Sequence, residues 1–152
     1  MKNRTLWMCL AAGLAMLCSP ASSQVKPDVL VKQRQAAMIL QGKYFYGHLR
    51  PTAQGKIPYD AAVVARNVGY LDALSRMPWD GFTPATKDIK SRAAPALFND
   101  AAKFKEAQDR FMAEVTKLTE VTRKGDEASI KAQILAVNKS CGSCHDNFRE
   151  KK

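Results

Sequence analysis

The sequence predicts an all-α fold, an antiparallel up-down-up-down four-helix bundle, on three observations. Apolar residues recur at helical spacing in four separate stretches, no stretch alternates convincingly like a strand, and the prolines stand at the ends of those stretches or between them. Amphipathic helices joined by mostly short links pack antiparallel. The chain of 152 residues is 46% hydrophobic with 8 Gly and 7 Pro, the composition of one ordinary globular domain rather than of a disordered segment.

The first 23 residues stand apart from the bundle. Lys2 and Arg4 precede an uncharged run from Leu6 to Cys18, and small residues follow at Ala21, Ser22 and Ser23. This is the pattern of a secretory signal, and its run of about 13 residues falls short of the roughly 20 that a membrane span needs. Cys18 follows Leu17 rather than a small residue, which argues against a lipid anchor. Residues 1–23 therefore read as a cleaved signal peptide and 24–152 as the mature domain, periplasmic and not membrane-spanning.

The first helix opens at Pro27 and Asp28, where a proline suits the first turn and a carboxylate the positive end, and should stop before Pro51. The second runs from about Asp60 to Met77, between Pro58 and Pro78, with Val64, Val68, Leu71 and Leu74 on one face. A long connection from Trp79 to about Phe98 carries Gly81, Pro84 and Pro95 and cannot be one helix. The third helix spans about Asn99 to Lys124, carries Phe104, Phe111, Val115 and Leu118, and stops at Gly125. The fourth starts after Asp126 as N-cap. Its apolar series Ile130, Ile134, Val137, Cys141, Cys144, Phe148 steps by 4, 3, 4, 3 and 4, which describes one helix face turned to the core.

Cleavage after Ser23 removes Cys9 and Cys18, so two of the 4 cysteines remain. They stand in Cys141-Gly142-Ser143-Cys144-His145, the Cys-x-x-Cys-His signal for covalent attachment of a c-type haem. Thioethers from Cys141 and Cys144 would hold one haem c against the fourth helix, and a neutral imidazole at His145, on the same stripe, would ligate its iron. The alternative is a redox dithiol or a disulfide, but that motif belongs in a strand–helix setting that this chain lacks. A zinc site wants about four ligands, and no further Cys or His lies near.

Two of the 24 basic residues fall in the signal while all 14 acidic ones lie beyond it, so the mature chain carries a formal +8 before haem propionates are counted. That charge serves solubility, or forms a positive face that steers an acidic redox partner or touches an anionic membrane surface. An exported chain with no recognition motif gives no reason to expect nucleic acid as a partner.

The occupant of the iron's other face decides the class of function. In an up-down-up-down bundle the start of the first helix lies beside the end of the fourth, which makes Arg34 to Met38 the neighbours of His145. His48 lies ten residues beyond Met38, about 15 Å further along the axis at ~1.5 Å per residue, too far to ligate. Met38 has two readings. As a thioether ligand it would make a six-coordinate, low-spin electron carrier, and as an apolar plug it would cover an open iron face.

These residues resemble the cytochrome c′ family, the class II c-type cytochromes. The likeness covers essentially the whole mature chain and is carried by Cys141-Gly142-Ser143-Cys144-His145-Asp146-Asn147-Phe148-Arg149, by the Arg34-Gln35 pair, by Pro58-Tyr59-Asp60-Ala61-Ala62 and by Pro78-Trp79-x-x-Phe82. The resemblance implies a high-spin, five-coordinate haem with Met38 at the bulky apolar position over the vacant face. Low-spin relatives place their ligating Met about one turn earlier, where this chain has Arg34. It further implies that Arg34 and Gln35 hydrogen-bond the propionates, that Trp79 and Phe82 pack on the porphyrin, and that Arg149 stands over the proximal pocket. Thr86 is implied as a further propionate contact, and Phe148 stands where many relatives have Tyr.

The function that follows from this resemblance is binding of small neutral gases, nitric oxide and carbon monoxide, with electron exchange with an unidentified redox partner and no obvious turnover reaction. Nitric-oxide scavenging and electron transfer both remain open roles. A homodimer through exposed apolar or small residues of the first two helices is implied in the same way. The alternative is a low-spin electron-transfer cytochrome with Met38 as sixth ligand. An enzyme such as a peroxidase would need an acid–base group or a second metal, and the sequence presents neither.

Overall fold

The computed structural model describes residues 25–151, so the signal expected over residues 1–23 lies outside the described residues. Helices α1 (Pro27–Tyr44), α2 (Arg50–Ala53), α3 (Ala61–Ser75), α4 (Ala96–Asn99), α5 (Ala101–Lys124) and α6 (Glu127–Phe148) follow in order. α1 packs on α3, α3 on α5 and α5 on α6, which is the expected antiparallel bundle.

Three of the helix starts are closed by aspartates. The side chains of Asp60, Asp100 and Asp126 accept from the backbone N–H of Val63 (3.0 Å), Lys103 (3.1 Å) and Ser129 (2.8 Å), each meeting a donor that the helix itself leaves unpaired. α5 ends at Gly125, whose φ of 79° is open to glycine at little cost and returns its N–H to Val121 and Thr122. The third helix begins one turn-boundary later than expected, because Asn99 closes the separate short helix α4 and Asp100 is the cap.

The expectation that the first helix stops before Pro51 is corrected. α1 passes through a π-helical turn, Phe45–Leu49, into α2, and Pro51 sits inside that last segment. Proline cannot donate and crowds the carbonyl four residues back, but a wider turn immediately before it relieves that clash. The Arg50 N–H accordingly reaches the Phe45 carbonyl, five residues back, and the Thr52 hydroxyl donates to the His48 carbonyl at 2.9 Å. The stop comes at Gly55, with φ 69°. There Lys56 N–H donates to Pro51 and Gly55 N–H to Thr52, a Schellman end that satisfies two orphan carbonyls.

The core follows the sequence stripes. Val64, Val68 and Leu71 of α3, Phe111, Val115 and Leu118 of α5, and Ile130, Ile134 and Val137 of α6 form one buried cluster, joined by Phe45 and Leu49 from the π turn. α2 packs against α6, whereas α1 stands away from it. The bundle is thus closed at one end and splayed at the other, between the start of α1 and the end of α6. The connection from Trp79 to Pro95, built of two tight 3-10 turns and irregular chain, folds over that splayed end.

Gly81 is where this connection meets α1. A Cβ there would lie 2.7 Å from Arg34 Cβ and 2.8 Å from the Leu30 carbonyl oxygen, neither of which can retreat without moving α1. Gly81→Ala is expected to cost about 1–3 kcal/mol, the usual penalty for overpacking. Urea unfolding checks this, and an unchanged midpoint would show that the connection can lift from α1 freely.

Candidate functional site

The splayed end encloses a cavity of about 520 Å³. α6 contributes Cys141, Cys144 and His145, at i, i+3 and i+4, so that helical spacing alone turns all three to one wall. α1 faces them with Arg34, Gln35 and Met38. Trp79 and Phe82 of the connection, Phe104 of α5 and Phe148 of α6 form the aromatic side, with Phe82 and Phe104 centroids 5.0 Å apart and Phe104 and Phe148 5.3 Å apart. The Trp79 indole donates to the Ser75 carbonyl at 2.6 Å, which ties the ring back to the end of α3.

Nine of the ten residues expected at the site line this one cavity. Thr86 is the exception and does not line the cavity. It is fully buried behind the wall, where its hydroxyl donates to Thr83 O at 2.8 Å and accepts from Arg34 Nη1 at 3.2 Å. Its role in the structure is to hold Arg34. His48, excluded as a ligand from its place along the helix, is exposed on the π turn and is not part of the cavity wall.

Arg34 is the unusual charge. Only 3% exposed, it donates to the Gly81 carbonyl, to Thr86 and to Ser91 Oγ (2.7 Å), and lies 4.7 Å from the Phe82 ring centroid. No carboxylate is among these partners, and burial lowers its proton affinity. Arg92 and Arg149 add two more cations to the wall, and no acidic residue lines it. A buried cation facing an apolar cavity without a counter-ion calls for an anionic group on the ligand.

The α6 groups are tuned mainly by desolvation. Burial pushes the Cys141 thiol up to about 12, with a smaller contribution from Cys144, and raises Cys144 as well, where Arg149 opposes it. His145 is lowered by burial first and then by Arg149, while Asp146 raises it and Arg92 lowers it further. Its imidazole is therefore held neutral, the form that ligates metal. The two thiols are not joined in a disulfide. Among the described residues, no three His, Cys, Asp or Glu side chains converge to hold a bare metal ion. A flat, mostly apolar group with anionic edges, attached through two thiols and ligated by one imidazole, fits this cavity, and haem c has those features.

Tyr46 and Arg92 are among the wall residues that sequence reasoning missed. Tyr46 lies on the π turn and continues the series Arg34, Met38, Gly42 in steps of four onto the wall. Burial raises its hydroxyl, as does Cys141, whereas Arg50 and Arg149 lower it. Its four-residue spacing from Arg34, Met38 and Gly42 was the available hint. Arg92 comes from the irregular connection, where no periodicity assigns a direction.

The profile of known cytochrome c′ sequences matches residues 29–149. A cytochrome c′ from Rubrivivax gelatinosus is 42% identical over 127 residues, 83% of this chain and 98% of that one. One from Alcaligenes xylosoxydans xylosoxydans is 39% identical over 127 residues, 84% of this chain and 98% of its own. Among solved structures, the crystal structure of the Rubrivivax gelatinosus protein superposes with a TM-score of 0.78 at 40% identity, covering 82% of this chain and 98% of that one. A nitric oxide complex of a variant from Alcaligenes xylosoxidans gives 0.77 at 39% identity, covering 85% and 99%.

The cause assigned to the Cys141 shift is testable before haem is attached. A raised folded-state pKa means that the fold prefers the protonated thiol. Its contribution is complete below the ordinary value of 9.0 and is lost as pH rises toward about 12, because the unfolded chain ionises first. The urea midpoint of the haem-free chain is expected to fall across that window more steeply than that of Cys141→Ala. Equal slopes would remove desolvation as the cause.

Proposed function

The chain belongs to the cytochrome c′ family, and on that premise we propose that it carries one haem c through Cys141 and Cys144, with His145 as the only axial ligand, and binds small neutral gases. The observation that carries this reading is the single cavity in which the three α6 groups face Met38 of α1. When bound, the haem would supply an iron with one open coordination position and one-electron chemistry. The nitric oxide complex of the Alcaligenes xylosoxidans relative supports nitric oxide as a ligand here.

The chain's own residues do the rest. His145, kept neutral by burial, presents a nitrogen lone pair from a helix whose C-terminal turn is tied down by Phe148. Arg34 offers a fixed, desolvated guanidinium to a propionate, with Gln35 as a second donor nearer the mouth. Trp79, Phe82 and Phe104 exclude water from the ring. Met38 would face the side of the group away from His145, where an entering ligand would have to displace a half-buried thioether. Carbon monoxide and nitric oxide bond iron strongly enough to bear that cost, whereas dioxygen gains little without a polar neighbour. Nitric-oxide scavenging and electron exchange with an acidic partner both suit this arrangement, and no group on the wall is poised for acid–base turnover. In the second reading, favoured by the fact that Met38 and His145 share one cavity, Met38 is the sixth ligand of a low-spin electron carrier.

Optical spectra separate the two. The ferric wild type is expected to be high-spin, and Met38→Ala to leave it so while speeding carbon monoxide binding roughly ten- to a hundredfold, since burying a Met is worth about 1.5–3 kcal/mol. A low-spin wild type that turns high-spin only on Met38→Ala would transfer the assignment to the electron carrier.

Export and pairing complete the reading. The chain is exported to the periplasm after removal of residues 1–23, and no helix among the described residues is long and apolar enough to cross a membrane. Exposed apolar side chains on the first two long helices, Ile39 (70% exposed) on α1 and Tyr70 on α3, with Met77 just beyond it, are available for contact with a second copy. The mature protein should begin at Gln24 and sediment as a dimer at micromolar concentration. A retained leader or a single monomeric species would overturn the corresponding part.

A further inference from the structure

One buried amide in the cavity wall, Gln41, lies outside the groups assigned to the haem. Only 8% exposed, it stands three residues after Met38, on the same face of α1, whereas Arg34 stands one turn before it. Its Nε2 donates to the Leu74 carbonyl at the end of α3, at 2.8 Å. A carbonyl accepts only from nitrogen, so this bond fixes which end of the amide is which, and Oε1 turns away from Leu74. No side-chain or backbone donor among the described residues meets Oε1, yet it is not sealed in, since the one buried side-chain atom without a partner there is Arg50 Nε. Gln41 Oε1 therefore opens onto the cavity that the residue lines.

Two other polar groups of this wall have likewise spent their donors on the backbone. The Ser140 hydroxyl, 6% exposed, donates to the Val137 carbonyl at 2.8 Å, and the Trp79 indole is tied to Ser75. A molecule entering beside Met38 thus meets the lone pairs of Gln41 Oε1, in a slot otherwise apolar there. An acceptor left open in such a place favours a ligand that brings a hydrogen to it. We infer that Gln41 extends the ligands of this site to small neutral molecules that carry hydrogen, of which hydrogen sulfide is the simplest. Coordinated through sulfur, that ligand keeps hydrogen to donate to Oε1. A bare diatomic has none to offer, and the same lone pairs oppose negative charge gathering on its outer atom.

The inference rests on the haem reading, and the test separates the two. In the haem-loaded mature protein, binding of hydrogen sulfide to the ferric form in mildly acidic buffer, where the ligand is neutral, is measured for wild type, Gln41→Leu and Gln41→Met. The C–O stretching band of the ferrous carbon monoxide complex is recorded for the same three. The Leu74 carbonyl also accepts from the Met77 N–H at 3.2 Å, so loss of the amide orphans nothing and both variants are expected to fold. A wild type without haem absorbance strikes the haem reading itself. With haem in place, both variants should bind hydrogen sulfide about fivefold more weakly, the worth of one net hydrogen bond. Their C–O band should move to lower wavenumber, because removing lone pairs near the ligand's oxygen lets more charge pass to it from iron. A wild type that does not take up hydrogen sulfide, or variants that bind it as well as wild type, overturn the inference. So does weaker binding with the band unmoved, which reduces Gln41 to a brace between α1 and α3. A band that moves to higher wavenumber also overturns it, since the remaining N–H rather than Oε1 would then face the ligand.

Discussion

A buried guanidinium sets the geometry of this molecule. Arg34, one turn before Met38 on α1, spends its donors on the Gly81 carbonyl, Thr86 and Ser91, and so draws a long irregular connection down onto the first helix. At its far end the same connection is tied to the tail of α6 through Ala94, Arg92 and Glu150. Gly81 permits the approach because a Cβ would collide with Arg34 and with the Leu30 carbonyl. With the connection fixed there, it forms one side of a cavity instead of closing over α6, and α1 and α6 remain apart at that end.

The chemistry of the cavity follows from that separation. An apolar enclosure desolvates whatever faces it, and desolvation is the first cause of every shift on the α6 wall: both thiols are pushed up and the imidazole down. The same enclosure leaves Arg34 without a counter-ion, which suits a ligand that brings its own carboxylates to an otherwise hydrophobic slot. Covalent attachment through α6 also answers a mechanical need. The cluster of Leu97, Phe104 and Phe148, which flanks the cavity and includes half-buried Cys144, is small, and the main core lies toward the closed end of the bundle. A group filling the slot would extend that core to the splayed end and bridge α1 and α6, which pack less closely on each other than on their other neighbours.

Much of this was legible in the amino-acid sequence by itself. The stripes on α3, α5 and α6 place their apolar residues in the core because a regular helix converts spacing into direction, and the aspartate caps and Gly125 mark ends whose requirements are local. Cys141, Cys144 and His145 fall on one wall for the same reason. Arg34, Gln35 and Met38 were reachable too, since antiparallel order brings the start of the first helix to the end of the last.

Only tertiary structure decided the rest, and in each case the physical reason is that the deciding interaction is remote in sequence or breaks the period. Pro51 does not end its helix, because a π turn ahead of it makes room for the ring. Thr86 turns away from the cavity to hold Arg34, a contact spanning 52 residues that no local pattern encodes. Arg92 acquires its position through bonds to Glu150, 58 residues away, at a point where the chain has no periodicity from which a direction could be read. Helical spacing determined which residues face inward; the folding of one irregular connection onto a buried arginine determined what they face.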